Sequence, residues 1–145
     1  MATRFVGTQL STTDGENVTL DELHAAVGVG ATTTNTTASP ITMTAAQALS
    51  GIFINNLAGA MAITLPSAAS MVATYPNVQV GSQFVLYFIN TTTSGTVTFT
   101  AGTGNTFVGT TTLPTLTGQI LVGKFTNVTV GSEAVTWTSV LHTAS

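Results

Sequence analysis

Residues Gln83–Asn90 read Q-F-V-L-Y-F-I-N, a run whose apolar positions fall on both faces of an extended strand. Phe84, Leu86 and Phe88 point one way, and Val85, Tyr87 and Ile89 point the other. Such a strand needs cover on two sides. Residues 96–100 differ: Val97 and Phe99 alternate with Thr96, Thr98 and Thr100, which predicts one buried and one wet face. The small polar stretch 91–95 between these runs predicts a β-hairpin over 80–100. Similar patterning predicts strands over 52–57, 61–65, 106–109, 119–126 and Ala134–His142, the last two joined through Gly131 and Ser132. There Leu121 and Phe125 are expected to meet Val135, Trp137 and Leu141 in the core, with Ile120 and Val122 on the opposite face.

Helix signals are short and sharp. Thr19 with Glu22, and Thr44 with Gln47, each match a capping box, in which a hydroxyl and a side chain three residues on satisfy each other's backbone donors. The first predicts a helix over 20–27 with Leu20, Leu23 and Val27 on one stripe and Gly28 as its stop. The second predicts about one and a half turns ended by Gly51. Ser67 can cap a third helix through Ala68, Met71, Val72 and Tyr75, stopped by Pro76. Residues 29–40 are nearly all Thr, Ala, Asn and Ser, the composition of a linker or an edge strand. A boundary near Ser39 and Pro40 therefore divides an N-terminal arm (1–40), carrying a short acidic helix, from a β-sandwich body (41–145). The expected fold is all-β: a jelly-roll-like β-sandwich of seven to eight strands with two or three short helices and an N-terminal arm.

Composition sharpens this picture. The 145 residues contain two basic and five acidic side chains, a net charge of −3. Arg4, Asp14, Glu16, Asp21 and Glu22 all precede residue 23, leaving the body only Lys124 and Glu133. A surface of Thr, Asn, Ser and Gly stays hydrated without charge, but charge repulsion does little to keep it monomeric. Two basic residues cannot neutralise a phosphate backbone, so no nucleic-acid partner is expected. Neither a signal peptide nor a membrane span is expected, because no basic segment precedes an apolar run and no run approaches eighteen apolar residues. With no Cys, disulfides and thiolate chemistry are excluded.

Candidate chemistry is sparse. Asp21 and His24 share a helical face, but nothing nearby completes a four-ligand site. Asp14 and Glu16 alternate in a loop that lacks the calcium-loop pattern. His142 has no acid close in sequence to orient it, G-x-S-x-G is absent, and the body supplies one carboxylate, Glu133, where glycoside hydrolysis needs two. Trp137, Tyr75 and Tyr87 are candidates for a sugar-stacking platform, although the register of Trp137 with Val135 favours a core position. N-x-T triplets begin at Asn17, Asn35, Asn90 and Asn127 in a chain that is about a fifth Thr, and carry no weight without a secretory signal. No enzymatic activity, metal or cofactor is expected.

Five segments carry a resemblance: T-A-A-Q-A-L-S-G (44–51), T-L-P-S-A-A-S-M-V-A (64–73), V-G-S-Q-F-V-L-Y-F-I-N (80–90), T-V-T-F-T-A-G-T-G (96–104) and F-T-N-V-T-V-G-S-E-A-V-T (125–136). Together they resemble a β-rich module of tailed bacteriophages found in capsid decoration (cement) and head-fibre proteins. The resemblance spans 41–142 and leaves 1–40 unmatched. It implies a trimeric jelly-roll-like body with no catalytic residues, made in the host cytoplasm and placed on the outer surface of the virion. The expected partners are other copies of this chain, as a homotrimer, and the major capsid protein. Val85, Tyr87, Ile89, Ile120 and Val122 are the candidate trimer interface, unless the short helices cover that face. Arg4, Phe5, Asp14, Glu16, Asp21 and Glu22 are the candidate capsid contacts. The alternative is a tail-fibre or head-fibre module whose loops at 91–95 and 102–105 touch a host glycan or protein.

Overall fold

The computed structural model describes residues 9–11, 17–19, 32–75 and 77–142. The chain is mostly β. Strands β1 (Gln9–Ser11) and β2 (Asn17–Thr19) pair antiparallel as a separate two-stranded sheet. The body then runs β3 (Thr33–Asn35), β4 (Ile41–Thr42), α1 (Ala45–Ala48), β5 (Ile52–Asn55), β6 (Met61–Thr64), α2 (Ala68–Thr74), β7 (Gln83–Asn90) and β8 (Val97–Thr100). It finishes with β9 (Asn105–Val108), β10 (Thr112–Leu113), β11 (Thr117–Asn127) and β12 (Ala134–His142).

Two mixed sheets share one core, an arrangement compatible with a β-sandwich. One has the order β10-β8-β6-β4 and the other β3-β5-β7-β11-β12-β9. Between residues 33 and 100 the chain alternates between them, laying one strand of each pair β3/β4, β5/β6 and β7/β8 in each sheet. Successive strands within each sheet run parallel, so the three pairs stack as rungs. The strand pairing does not confirm jelly-roll topology, whose sheets are antiparallel: the β3–β5, β5–β7, β4–β6, β6–β8 and β9–β12 ladders are all parallel. Sheet pairing also begins before Pro40, because β3 is an edge strand of the larger sheet.

The hairpin expected over 80–100 is not formed. β7 pairs with β5 and β11, while β8 pairs with β6 and β10, so residues 91–96 arch from one sheet to the other. The reason lies in Asn90, which is fully buried and donates from Nδ2 to the carbonyls of Gly95 (3.2 Å) and Pro114 (3.0 Å). An inward Asn at the strand end turns the chain across the core instead of back along its own sheet. The arches of the second and third rungs stack tightly. Gly59 N–H donates to Ser94 O at 3.1 Å, and a Cβ on Gly95 (φ +93°) would overlap the Gly59 carbonyl. The expected hairpin through Gly131 and Ser132 does form, with β11 and β12 antiparallel.

Asparagine side chains tie the rungs together. Asn35, Asn55 and Asn90 are register partners on adjacent parallel strands. Asn35 Nδ2 donates to Asn55 Oδ1 at 3.1 Å, and Asn55 Nδ2 donates to Asn90 Oδ1 at 3.2 Å. All three are buried. Each buried amide thus satisfies the next, as buried polar groups must. The same stacking brings Phe53 and Phe88 into register with ring centroids 5.0 Å apart, and Phe88 crosses the core to meet Phe99 edge-on at 5.0 Å.

The helices form where the capping signals place them. Thr44 Oγ1 accepts from Gln47 N–H (3.2 Å) and Gln47 Oε1 accepts from Thr44 N–H (2.8 Å), while Ser67 Oγ accepts from Ser70 N–H (3.2 Å). Both lie in the crossovers from the smaller to the larger sheet, and they bury Ala45, Ala48, Ala68 and Met71 in the shared core. The helix expected over 20–27 and the Pro76 stop lie outside the described residues. Replacing Asn55 with Ala should cost about 2–4 kcal/mol, since it removes a buried hydrogen bond to each of two neighbours, whereas Asn35→Ala, which removes one bond of the ladder at its end, should cost about 1 kcal/mol. Urea unfolding of the two variants measures the difference.

Candidate interaction surfaces

The two faces of β7 have opposite fates. Phe84, Leu86 and Phe88 are buried, as the alternation predicts, and Phe84 meets Trp137 edge-on with centroids 4.9 Å apart. Gly123 on β11 makes room for this packing, because a Cβ there would overlap the Phe84 ring. On the other face Val85 is 54% exposed and Tyr87 37%. The helices do not cover them: both pack into the core between the sheets.

This outer face is continuous across four strands. Ile52, Tyr87, Ile120 and Val140 are successive cross-strand partners on β5, β7, β11 and β12, and all four are exposed. Val85 and Val122 pair alongside in the next row, and Ile54 and Ile89 pair in the row on the other side. Tyr87 leans across the bare backbone of Gly118, where a Cβ would overlap its hydroxyl. Lys124 and Gln83, themselves a register pair, lie at one end of the patch. The five residues expected at a trimer interface therefore form one patch, joined by Ile52, Ile54 and Val140, which the strand pattern alone did not connect to them.

The smaller sheet presents a different outer face. Thr42, Ala62, Thr64, Thr98, Thr100 and Thr112 alternate with buried neighbours along β4, β6, β8 and β10. Thr42, Thr64 and Thr100 stack in register. A Thr surface hydrogen-bonds water without charge, while a surface of Ile, Val and Tyr gains by leaving water. Among the described residues the two outer faces thus differ in chemistry, Thr on one sheet and apolar side chains on the other.

A second feature lies at the end of the stacked rungs. β3 and β4 each have a pairing partner on only one side among the described residues. Beside them is a groove of about 240 Å³ lined by Asn35, Thr37, Pro40, Ile41, Thr42 and Gln47. Asn35 Oδ1, the acceptor end of the amide ladder, takes one hydrogen bond, from Thr37 N–H at 3.0 Å.

Arg4, Phe5, Asp14, Glu16, Asp21, Glu22 and His24 lie outside the described residues, as does the side chain of His142. Among the described residues no group of three His, Cys, Asp or Glu side chains could hold a metal ion, and no helix is long and apolar enough to cross a membrane. Trp137 is fully buried in the core and so presents no ring to a sugar; Tyr75 packs on Phe125 at 5.4 Å. Compared with protein-family models, with curated proteins and with solved structures, the chain matches none.

The two faces of β7 should respond differently to mutation. Leu86→Ala is expected to cost about 2–5 kcal/mol, whereas Val85→Thr should change protomer stability by less than about 0.5 kcal/mol. Urea unfolding at protein concentrations below any self-association reads both.

Proposed function

We propose that this protein is a virion structural protein, a homotrimer on the outer surface of a bacteriophage head that decorates the shell and stabilises it by bridging neighbouring major capsid subunits. The observation that carries the assembly half of this reading is the contrast between the two outer faces, one coated with Thr and the other an apolar patch across four strands. The virion half rests on the resemblance of residues 41–142 to phage decoration and head-fibre modules.

Val85, Tyr87, Ile89, Ile120 and Val122, with Ile52 and Val140, would meet their counterparts around a threefold axis. At about 25 cal/mol per Å², removing a few hundred Å² of such surface per protomer contributes several kcal/mol. No ion has to be desolvated at the centre of that patch, which spares the interface the main cost of burying charge. In this reading the two-sheet body is the trimerising unit. Its finer class, jelly-roll-like or a short parallel solenoid, turns on its winding, and the three parallel rungs favour the solenoid. The charged side chains Arg4, Asp14, Glu16, Asp21 and Glu22, together with Phe5, would make the polar contacts to the capsid. A shell protein of this kind supplies bound surface and stability, not catalysis. The fibre alternative assigns binding to the loops at 91–95 and 102–105, and predicts retention on a glycan array.

Light scattering should give three times the chain mass for the purified protein, and about one chain mass for Val85→Lys combined with Ile120→Lys, with circular dichroism unchanged. A wild-type monomer at all concentrations would refute the trimer. Co-sedimentation with undecorated phage heads should retain the wild type and lose most of a variant carrying Arg4→Ala, Asp14→Asn and Glu16→Gln. Equal retention of that variant would remove the charged segment from the capsid contact.

A further inference from the structure

Three features beyond the apolar patch remain unassigned: the open end of the stacked rungs, the separate β1–β2 sheet, and a repeat that the strand register exposes. They fit one another. Pairing of β4 with β6 sets Ile41 opposite Ile63 and Thr42 opposite Thr64, so Ile41-Thr42-Met43 and Ile63-Thr64-Leu65 are equivalent positions of successive rungs. Met43 and Leu65 are both buried, Ile63 is fully buried, and a hydroxyl cap follows each triplet, Thr44 directly and Ser67 one residue later, after Pro66. The same pattern stands once more, upstream. Val18-Thr19-Leu20 repeats the branched–Thr–apolar triplet, an alignment that moves the cap from Thr19, where the capping box with Glu22 put it, to Asp21, and Gly28 follows Asp21 at the spacing by which Gly51 follows Thr44. Ala25 falls where Ala48 is fully buried. For residues 20–28 this match is one of sequence.

We propose that the open edge of the first rung is the docking site for residues 17–28 of the same molecule, with β2 parallel to β4, Val18 opposite Ile41 and Thr19 opposite Thr42. β2 has an edge to offer: one side holds β1, and the other has no partner among the described residues. β4 has the complementary free edge. Pairing them places the β1–β2 sheet at the end of the smaller sheet, giving the order β10-β8-β6-β4-β2-β1. That makes six strands, the number in the facing sheet. The groove beside Asn35, Ile41 and Thr42 is the space an added unit fills.

Reach and polarity agree with this placement. The chain from Thr19 to Thr33 is longer than the chain from Thr42 to Phe53, the register partner of Thr33, so the crossover already made through α1 can be repeated upstream. An unpaired parallel edge is a template for another chain, and covering it from within is how sheet proteins avoid edge-to-edge aggregation. This inference goes beyond the virion reading and does not rest on it: it concerns how the rungs are capped, whatever the apolar patch binds.

The absence of Cys makes a clean test possible. Thr19→Cys with Thr42→Cys places two thiols at partner positions, Thr42 being exposed. Thr19→Cys with Thr98→Cys is the control, because Thr98 is an exposed residue on β8, two strands further into the sheet. Treated in dilute solution with dibromobimane, which fluoresces strongly only when it bridges two nearby thiols, the first pair should give a fluorescent monomer at least tenfold brighter than the control. Two outcomes overturn the proposal. Equal signals from the two pairs, with all thiols shown reactive toward a maleimide, would place β2 away from β4. Bridging confined to covalent dimers would place residues 17–28 on a second copy. Because neither heads nor trimers enter the measurement, its failure leaves the virion reading where it stands.

Discussion

The asparagine ladder is the interaction on which the stacking of the rungs depends. A buried carboxamide carries donors and acceptors that must all be used, and in Asn35, Asn55 and Asn90 they are used on one another and on the arch that follows. A slip of one residue in either parallel pairing would turn an amide outward and leave its neighbour unpartnered. Apolar packing alone would not fix the register so sharply, since Ile, Phe and Val tolerate one another on a sheet face. The ladder also decides topology. Asn90, at the end of β7, binds the carbonyls of Gly95 and Pro114, and Asn55 O accepts from Thr91 N–H and Oγ1, so the chain leaves the larger sheet as an arch.

Once the rungs are fixed, the faces follow. Each strand pair sends alternate side chains into one core, where Phe53, Phe88 and Phe99 meet across the gap and Phe84, Phe125 and Trp137 fill the far end. The helices occupy the crossovers and are spent on closing that core. Nothing among the described residues is then left to cover the second face of β7. Its side chains Val85 and Tyr87, extended by register to Ile52, Ile120 and Val140, are exposed among the described residues.

Alternation made the two-sided strand, the buried Trp137, both body helices and the final hairpin legible in the sequence, because each rests on local periodicity or a cap. What stayed hidden was non-local. A polar loop containing Gly between two strands reads as a hairpin whether the chain turns back in its own sheet or arches to the other, and the deciding residue, Asn90, looks like an ordinary strand end. The Asn residues at 35, 55 and 90 are unevenly spaced, since β7 is twice the length of β5 and the linkers differ, so no fixed period marks them as a column. β3, β4 and β10 are two or three residues long and too short for alternation to register. The signal that was present is the repeated Ile-Thr-Met and Ile-Thr-Leu ahead of each helix cap, and it gains meaning only when the register places one triplet against the other.

The distribution of charge bears on assembly in the same direction as the apolar patch. A lone globular body of this size normally keeps itself soluble with charge on every face. Here the smaller sheet does so with stacked Thr, while the larger sheet carries Lys124 at the margin of its apolar patch and Glu133 in the hairpin turn, where its carboxylate accepts from Gly131 N–H at 3.0 Å. Thr protects a sheet face from non-specific contact but cannot repel a like copy. In the proposed trimer the patch would meet copies of itself without electrostatic opposition, and a closed symmetric assembly would end that meeting instead of propagating it. The proposed threefold ring would bury the apolar patch of the larger sheet and leave the Thr face in water, so each surface would meet the surroundings that suit its side chains.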